Sequence, residues 1–216
     1  MTDYTTPNRD RSVLLTIDMQ RDFTLPGSAA EIPGTSKVVP SVQKAVAAYR
    51  KRGLPIIHVV RLYLPDGSNA DLCRRKIIVN GKRIVIPGSL GAELVDELRP
   101  NPDTKLDPSL LMSGSLQAVG EMEWLLYKPR WGAFYRTALE DHLRSLDVDS
   151  VVVTGCNFPN CPRTTVYEAS ERDFKVVLIT DAVSGLYEEG VRELRDIGVF
   201  LMTTTDLESW CLIGAT

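Results

Sequence analysis

The sequence predicts an α/β fold in which a parallel β-sheet carries helices on both faces. Short apolar runs alternate along the chain with longer segments whose apolar residues recur at helical spacing. The first of these runs, SVLLTI, is almost continuously apolar, which is typical of a strand buried on both faces of a parallel sheet. A chain of 216 residues with 44% hydrophobic residues is long enough for one full core. We therefore expect a single domain over residues 1–216.

Six apolar runs are predicted as strands. They cover residues 12–17, 54–60, 124–127, 150–153, 175–180 and 199–203. Four segments between them are predicted as helices, at 37–52, 134–146, 162–172 and 188–196. The first helix has apolar residues on one face from Val38 to Tyr49 and stops at Gly53, a residue common after helix ends. Strands joined by helices form βαβ units, so neighbouring strands should be parallel.

Residues 62–91 interrupt this alternation. They are rich in turn residues and contain IIVNGKRIVI, in which Asn80 and Gly81 separate two β-branched runs. Such a pair predicts a β-hairpin, placed here at residues 76–87. We expect this insertion to cross the carboxyl edge of the sheet, where open α/β sheets bind ligands. A flap without any role in substrate binding is an equally open interpretation.

Composition argues against two classes of partner. The net charge is −3 and the isoelectric point is about 5.5, whereas a nucleic-acid binder needs clustered Lys and Arg. No apolar run reaches the length of a membrane span, and the polar start MTDYTTPNRDRS has no apolar core of a signal peptide. We expect a cytoplasmic protein whose four cysteines are thiols.

Three residues whose side chains could take part in catalysis follow predicted strands. Asp18 comes directly after the first strand, Lys128 after the third, and Cys161 one short loop after the fourth. Each alone has an ordinary interpretation: a loop cap, a solvated lysine and a small buried hydrophobe. Because the carboxyl ends of parallel strands share one edge of the sheet, the three side chains should meet there.

Together these residues could activate a thiol. Cys161 precedes Pro162, which is favoured in the first turn of a helix, so the sulfur should lie at a helix N-terminus. The helix dipole and the Lys128 ammonium would lower the pKa of the thiol, which is about 8.5 in a free cysteine. The Asp18 carboxylate could accept the thiol proton and return it to a leaving amine.

Other uses of the cysteines are less well supported. His58 lies inside an apolar run and His142 on an amphipathic helix, so neither is placed for a Cys–His dyad. Cys156 and Cys161 have no further Cys or His pair near them in sequence, so no metal site is expected. Their spacing is not Cys-x-x-Cys, although a redox pair stays open. We interpret Cys161 as the nucleophile and Cys156 as a core residue.

These residues resemble the isochorismatase-like family of cysteine hydrolases over about residues 12–206. Four segments carry the resemblance: Asp18-Met19-Gln20 with Asp22-Phe23, Lys128-Pro129-Arg130 with Ala133-Phe134, Thr154-Gly155 through Cys161, and Asp181-Ala182. The resemblance implies a three-layer α/β/α fold with a six-stranded parallel sheet and an Asp18–Lys128–Cys161 triad. It also implies a cis peptide bond at Cys156–Asn157 and an oxyanion hole formed by the N–H groups of Asn157 and Cys161.

The resemblance further implies hydrolysis of a C–N bond in a small amide, ureide or lactam through a thioester. The segment HVVRLYLPDGSNADL lacks the histidines with which nicotinamidases of this family bind metal, so no metal and no cofactor are expected. A homodimer or homotetramer is implied as well. A catalytically idle binding or scaffold protein on the same fold, and a thiol-redox protein, are the alternatives.

Residues next to the triad are candidates for substrate binding. Five are proposed: Phe23, Arg130, Trp131, Tyr135 and Phe158. The aromatic side chains could stack on a planar substrate, with core packing as an equal alternative. Arg130 and Arg163 could bind a carboxylate, or they could form surface salt bridges.

Overall fold

A seven-stranded sheet forms the centre of the protein in the computed structural model, which describes residues 4–212. The strands are β1 (Ser12–Ile17), β2 (Ile56–Val60), β3 (Gln117–Gly120), β4 (Glu123–Tyr127), β5 (Ser150–Gly155), β6 (Lys175–Val183) and β7 (Phe200–Met202). The helices are α1 (Arg21–Thr24), α2 (Thr35–Arg52), α3 (Leu72–Val79), α4 (Pro108–Met112), α5 (Leu139–Ser145), α6 (Cys161–Ser170), α7 (Glu188–Asp196) and α8 (Thr204–Leu212).

The strand order is β3-β4-β2-β1-β5-β6-β7. The six predicted strands are all present and mutually parallel, which confirms the parallel sheet. The seventh strand, β3, is an antiparallel edge strand beside β4 that the sequence pattern did not predict. Alternate residues of β1 enter different layers: Leu14 packs with α2 and α8, whereas Val13 and Leu15 pack with α5, α6 and α7. The fold is therefore a three-layer α/β/α arrangement.

The register of the central strands aligns their carboxyl ends. Ile17 at the end of β1 pairs with Val59 of β2 and with Gly155 of β5. The main-chain bonds continue one residue beyond the strands, because the Asp18 N–H donates to Val59 O and the Lys128 N–H donates to Val60 O. Asp18 and Lys128 are thus fixed at one edge of the sheet by the same ladder that builds it.

The predicted helices are found with shifted boundaries. α2 and α6 start one or two residues before the predicted positions, and α7 matches its prediction. The segment predicted as one helix at 134–146 is helical only in α5, since its first residues form turns and Arg136 has a φ of 52°. α8, which packs against α2, was not predicted. Within residues 4–212, none of the helices combines the length and the apolar character needed to cross a membrane.

The hairpin prediction for residues 76–87 is wrong. Residues 72–79 form α3, and the Asn80-Gly81 pair ends that helix. Gly81 has a φ of 95°, its N–H donates to Ile78 O, and the next N–H, of Lys82, donates to Ile77 O. This pair of bonds is the Schellman motif, which needs the same positive φ as a hairpin turn. The sequence signal was real, but it marked a helix C-terminus.

Candidate active site

Asp18 and Lys128 form a buried ion pair at the carboxyl edge of the sheet. The Lys128 Nζ lies 2.9 Å from Asp18 Oδ2, and the two side chains are 0% and 5% exposed. Nζ also donates to the main-chain oxygen of Arg130 at 3.4 Å. The second carboxylate oxygen, Asp18 Oδ1, is buried and accepts no hydrogen bond of ordinary geometry from residues 4–212, although the Cys161 thiol lies close enough to interact with this carboxylate. A buried acceptor without a partner is costly, so its presence next to a cavity is a marker of function.

Cys161 is the first residue of α6, with Pro162 directly behind it as predicted. Burial, followed by the negative charge of Asp18, raises the pKa of the thiol to about 12, although Lys128 and Arg61 act in the opposite direction. Lys128 does lower the pKa of the thiol, as expected, but burial and Asp18 outweigh it, so the net shift is upward. The lysine charge is largely neutralised by Asp18, and the low-polarity surroundings penalise a thiolate. At neutral pH the resting group is a thiol.

The loop between β5 and α6 presents main-chain donors beside the sulfur. The peptide bond Cys156–Asn157 is cis, which confirms that expectation. The N–H groups of Phe158 and Asn160 are used within the structure, on Ser184 O and Asn157 O. For the N–H groups of Asn157 and Cys161, by contrast, the described chain offers no main-chain acceptor. These two donors are the ones that were expected to form an oxyanion hole.

A small cavity connects these groups. Its lining residues are Asp18, Phe23, Ile32, Arg61, Tyr63, Arg74, Trp131, Cys156, Asn157, Asn160 and Cys161. Its volume of about 30 Å³ has room for roughly two water molecules, or for one amide group. Asp18 and Cys156 at its base are buried, whereas Trp131 is 42% exposed. We infer that Asp18 lies at the closed end and Trp131 at the mouth, whereas Cys161 is half-buried.

Arg61 closes one wall of the cavity through a buried network. Its guanidinium donates to Asp71 Oδ2, to the Tyr63 hydroxyl at 3.1 Å and to Lys128 O at 3.1 Å. The Tyr63 hydroxyl in turn donates to Asp71 Oδ2 at 3.0 Å. The main chain of Arg61 is held by the side chain of Gln20. The charge of Arg61 is thus balanced by Asp71, and the network fixes the loop after β2 against the loop after β4.

The five residues expected to bind substrate lie in three different places: the cavity, a surface groove and the core. Phe23 and Trp131 line the cavity. Arg130 and Tyr135 line a separate surface groove beside Trp131. Phe158 differs from the expectation, because it is fully buried and packs edge-to-face on Tyr187.

Arg163 does not contact the cavity. It binds Tyr187, Tyr167 and Glu193, so it joins α6 to α7.

Five lining residues were not singled out from the sequence: Ile32, Arg61, Tyr63, Arg74 and Asn160. Arg61 follows the apolar run of β2 directly, in the same position relative to its strand as Asp18 and Lys128. The rule applied to Asp18 and Lys128, that a polar residue directly after an apolar run is a site candidate, could therefore also have selected Arg61. Arg74 lies on α3, which the hairpin prediction replaced with strands, so its position could not be derived from that prediction.

Cys156 occupies a different environment from Cys161. It is 1% exposed, and its thiol donates to the main-chain oxygen of Asp18 at 3.3 Å. Burial raises its pKa well above the ordinary value. Both cysteines are free thiols. No group of three or more His, Cys, Asp or Glu side chains that could hold a metal ion occurs between residues 4 and 212.

Comparison with known proteins agrees with this geometry. The model of the isochorismatase domain matches residues 12–107 and 115–206, which is most of the chain. The chain belongs to the isochorismatase family. Its strand-end aspartate, its lysine and the cysteine at the start of α6 all lie inside the matched segments.

Individual relatives of this family are similar over nearly the whole chain. A probable inactive nicotinamidase of Arabidopsis thaliana is 33% identical over 92% of this chain and 94% of its own. A ureidoacrylate amidohydrolase of Methylorubrum extorquens is 25% identical over 93% of this chain and 82% of its own. An isochorismatase family protein from Desulfovibrio vulgaris has a TM-score of 0.79 at 32% identity, over 93% of this chain and 98% of that one.

Proposed function

We propose that this protein is a cysteine hydrolase that cleaves a C–N bond of a small amide, ureide or lactam through a thioester. One observation carries the proposal. Asp18 uses one carboxylate oxygen to bind Lys128 and has the other without a partner, in a cavity that Cys161 also lines. A carboxylate held in this way is prepared to accept a proton from the thiol.

The reaction begins with proton transfer from the Cys161 thiol to Asp18 as the sulfur attacks the substrate carbonyl carbon. The carbon–sulfur bond forms, and the carbonyl oxygen becomes an oxyanion that accepts hydrogen bonds from the N–H groups of Asn157 and Cys161. Asp18 then gives its proton to the leaving nitrogen as the C–N bond breaks. Water attacks the thioester with Asp18 as the base, and the acid is released with the thiol restored.

A thiol pKa of about 12 fits this sequence of steps. Such a thiol is protonated at rest and needs a base within the site, because ionisation by solvent at neutral pH is too rare. Lys128 holds the Asp18 carboxylate in place through the 2.9 Å contact with Oδ2. The names of relatives support the same class of substrate, since one of them is an amidohydrolase of ureidoacrylate.

The name of another relative, a probable inactive nicotinamidase, favours the catalytically idle alternative for that protein. In this chain Asp18 and Cys161 line one cavity, and Lys128 is paired with Asp18, which supports an active site. The unpaired carboxylate oxygen alone could also accept a hydrogen bond from a bound ligand, but a cysteine in the same cavity adds a nucleophile that passive binding does not need. We therefore favour catalysis over passive binding and over thiol redox chemistry.

A screen for ammonia release tests the proposal. Small primary amides and ureides are incubated with wild type, with Cys161→Ala and with Cys73→Ala as a control at an exposed cysteine. We expect at least one compound to be hydrolysed by wild type and by Cys73→Ala but not by Cys161→Ala. Equal turnover by Cys161→Ala would contradict the mechanism, and a disulfide between Cys156 and Cys161 under mild oxidant would favour redox chemistry.

The proposal includes a homodimer or homotetramer in the cytoplasm. Trp131, Tyr135 and Leu72 are exposed around the groove beside the cavity mouth, and a second copy of the chain could cover them. Free thiols are typical of a reducing compartment. Light scattering after size-exclusion chromatography measures the assembly, and a monomer at micromolar concentration would contradict that part.

A further inference from the structure

One charged side chain at the cavity has no partner. The two other charged residues of the lining are paired, Asp18 with Lys128 and Arg61 with Asp71. Arg74 lines the same cavity, yet its guanidinium makes neither a side-chain hydrogen bond nor an ion pair with any residue of the described chain. Arg74 is half-buried, so its charge is partly shielded from bulk water.

The charges around the cavity therefore do not cancel. The pairs Asp18–Lys128 and Arg61–Asp71 are each neutral, and Arg74 adds one positive charge. An unpaired cation that is partly shielded from bulk water attracts anions more strongly than the same cation on an open surface. Arginine is also the side chain whose planar fork of N–H groups matches the two oxygens of a carboxylate.

The size of the cavity decides which part of a substrate meets Arg74. About 30 Å³ beside Cys161 accommodates the reacting amide group and little more. The remainder of the substrate must extend toward the mouth, where the exposed Trp131 and the half-buried Arg74 line the wall. A group attached to the amide by a short linker would thus extend toward Arg74, which lines the same cavity.

We propose that Arg74 binds a carboxylate of the substrate, so that the preferred substrates are small amides or ureides that carry a carboxylate. This inference rests on the proposed hydrolase function and specifies its substrate class. Arg61 is unsuited to the role because its donors are used by Asp71, Tyr63 and Lys128 O. Arg74 is a specificity residue and takes no part in bond making.

Helix α3 offers a matched control. Lys76 is exposed, lies on the same helix two residues away and does not line the cavity. Lys76→Gln removes the same amount of charge as Arg74→Gln. Arg75 is less suitable, because its guanidinium donates to Ser68 O and Ala70 O.

The experiment compares matched acids and neutral esters. The probes are N-carbamoylglycine, N-carbamoyl-β-alanine and succinamate, each with its methyl ester, and ammonia release reports only C–N cleavage. For any pair that wild type hydrolyses, we expect kcat/KM to favour the acid by roughly 10- to 100-fold, as for hydrogen bonds to a charged group. In Arg74→Gln the ratio of kcat/KM for acid and ester should fall to near one, because the KM of the acid rises. Arg74→Lys should retain part of it, and Lys76→Gln all of it.

A second readout separates this inference from the hydrolase proposal. Calorimetry measures binding of the same acids to Cys161→Ala, with and without Arg74→Gln. Two results would overturn the inference without affecting the hydrolase proposal. One is hydrolysis with the same kcat/KM for acid and ester, and the other is an equal decrease in kcat/KM for acid and ester in Arg74→Gln. If the acids bind in a way that depends on Arg74 but wild type hydrolyses none of the compounds, the result would support the inference and contradict the hydrolase proposal. Neither binding nor turnover of any probe would overturn the inference.

Discussion

Two buried charge clusters in this protein differ in how completely their carboxylates are paired. Glu123 at the start of β4 contacts Arg50 Nη2 and His58 Nε2 through Oε1, both at 2.7 Å, and accepts from Arg50 Nε through Oε2 at 2.9 Å. His58 also contacts Thr16 Oγ1 at 2.7 Å, so it is the core residue that the sequence indicated. At the other end of β4, Asp18 binds Lys128 through one oxygen only.

This difference in pairing indicates a different role for each cluster. Burial alone would raise the pKa of Glu123, but the hydrogen bonds from Arg50 and His58 outweigh it and lower the pKa to about 2. Both oxygens of this carboxylate already have hydrogen-bond partners inside the fold. Asp18 keeps one oxygen available at a cost in stability. We infer that the Glu123 cluster stabilises the fold and the Asp18 cluster is reserved for chemistry.

The largest expected effect is on catalysis. Asp18→Asn removes the proton acceptor and keeps the shape of the side chain, so kcat/KM should fall by about 10²–10⁴. Steady-state kinetics on the best amide from the screen measures this, with circular dichroism to confirm folding. A variant with full activity would remove Asp18 from the mechanism.

Lys128→Met should have the next largest effect, and mainly on stability. It leaves the buried Asp18 without its partner, which costs about 3–5 kcal/mol in the free energy of unfolding. The double variant Asp18→Asn/Lys128→Met should recover much of this stability, since no charge is left alone, and should stay inactive. Urea unfolding measures all three variants, and additive losses in the double variant would refute the pairing.

Glu123→Gln should have the smallest effect, about 1–3 kcal/mol in stability, with activity retained in the folded protein. Arg50 is partly exposed and can turn to water, which limits the loss. Because the folded pKa of Glu123 is lowered, its stabilisation is fully present above the ordinary value of 4.5 and is lost as the pH falls toward about 2. Unfolding at several pH values should show a weaker acid dependence in the variant, and an unchanged dependence would contradict the assignment.

The parallel sheet and the positions of Asp18, Lys128 and Cys161 could be predicted from the sequence because both follow from strand order. Continuous apolar runs indicate buried strands, and the residues behind them must share an edge. Asp18 and Lys128 are fixed by main-chain bonds of the sheet itself. At this edge of the sheet, the local sequence pattern of an apolar run followed by a polar residue was sufficient to predict the position.

The cavity wall could not be predicted in the same way. Arg61 is defined by contacts with Asp71 and Tyr63 in the loop after β2, which has no periodic pattern. The Asn80-Gly81 pair is ambiguous because a hairpin turn and a helix end both need a positive φ. The net pKa shift of Cys161 depends on how deeply the sulfur is buried, which the position of Pro162 does not reveal.

The most direct test of the account is the rate at which iodoacetamide alkylates Cys161 at pH 8 in wild type and in Asp18→Asn, read by peptide mass spectrometry. The negative charge of Asp18 helps to hold the thiol protonated, so its removal should lower the thiol pKa and speed alkylation while abolishing amide hydrolysis. The exposed Cys73 is the internal reference, and unlabelled Cys156 and Cys211 report an intact core. Faster alkylation with lost hydrolysis is the predicted result. An unchanged alkylation rate in Asp18→Asn would contradict the claim that this carboxylate controls the proton of Cys161.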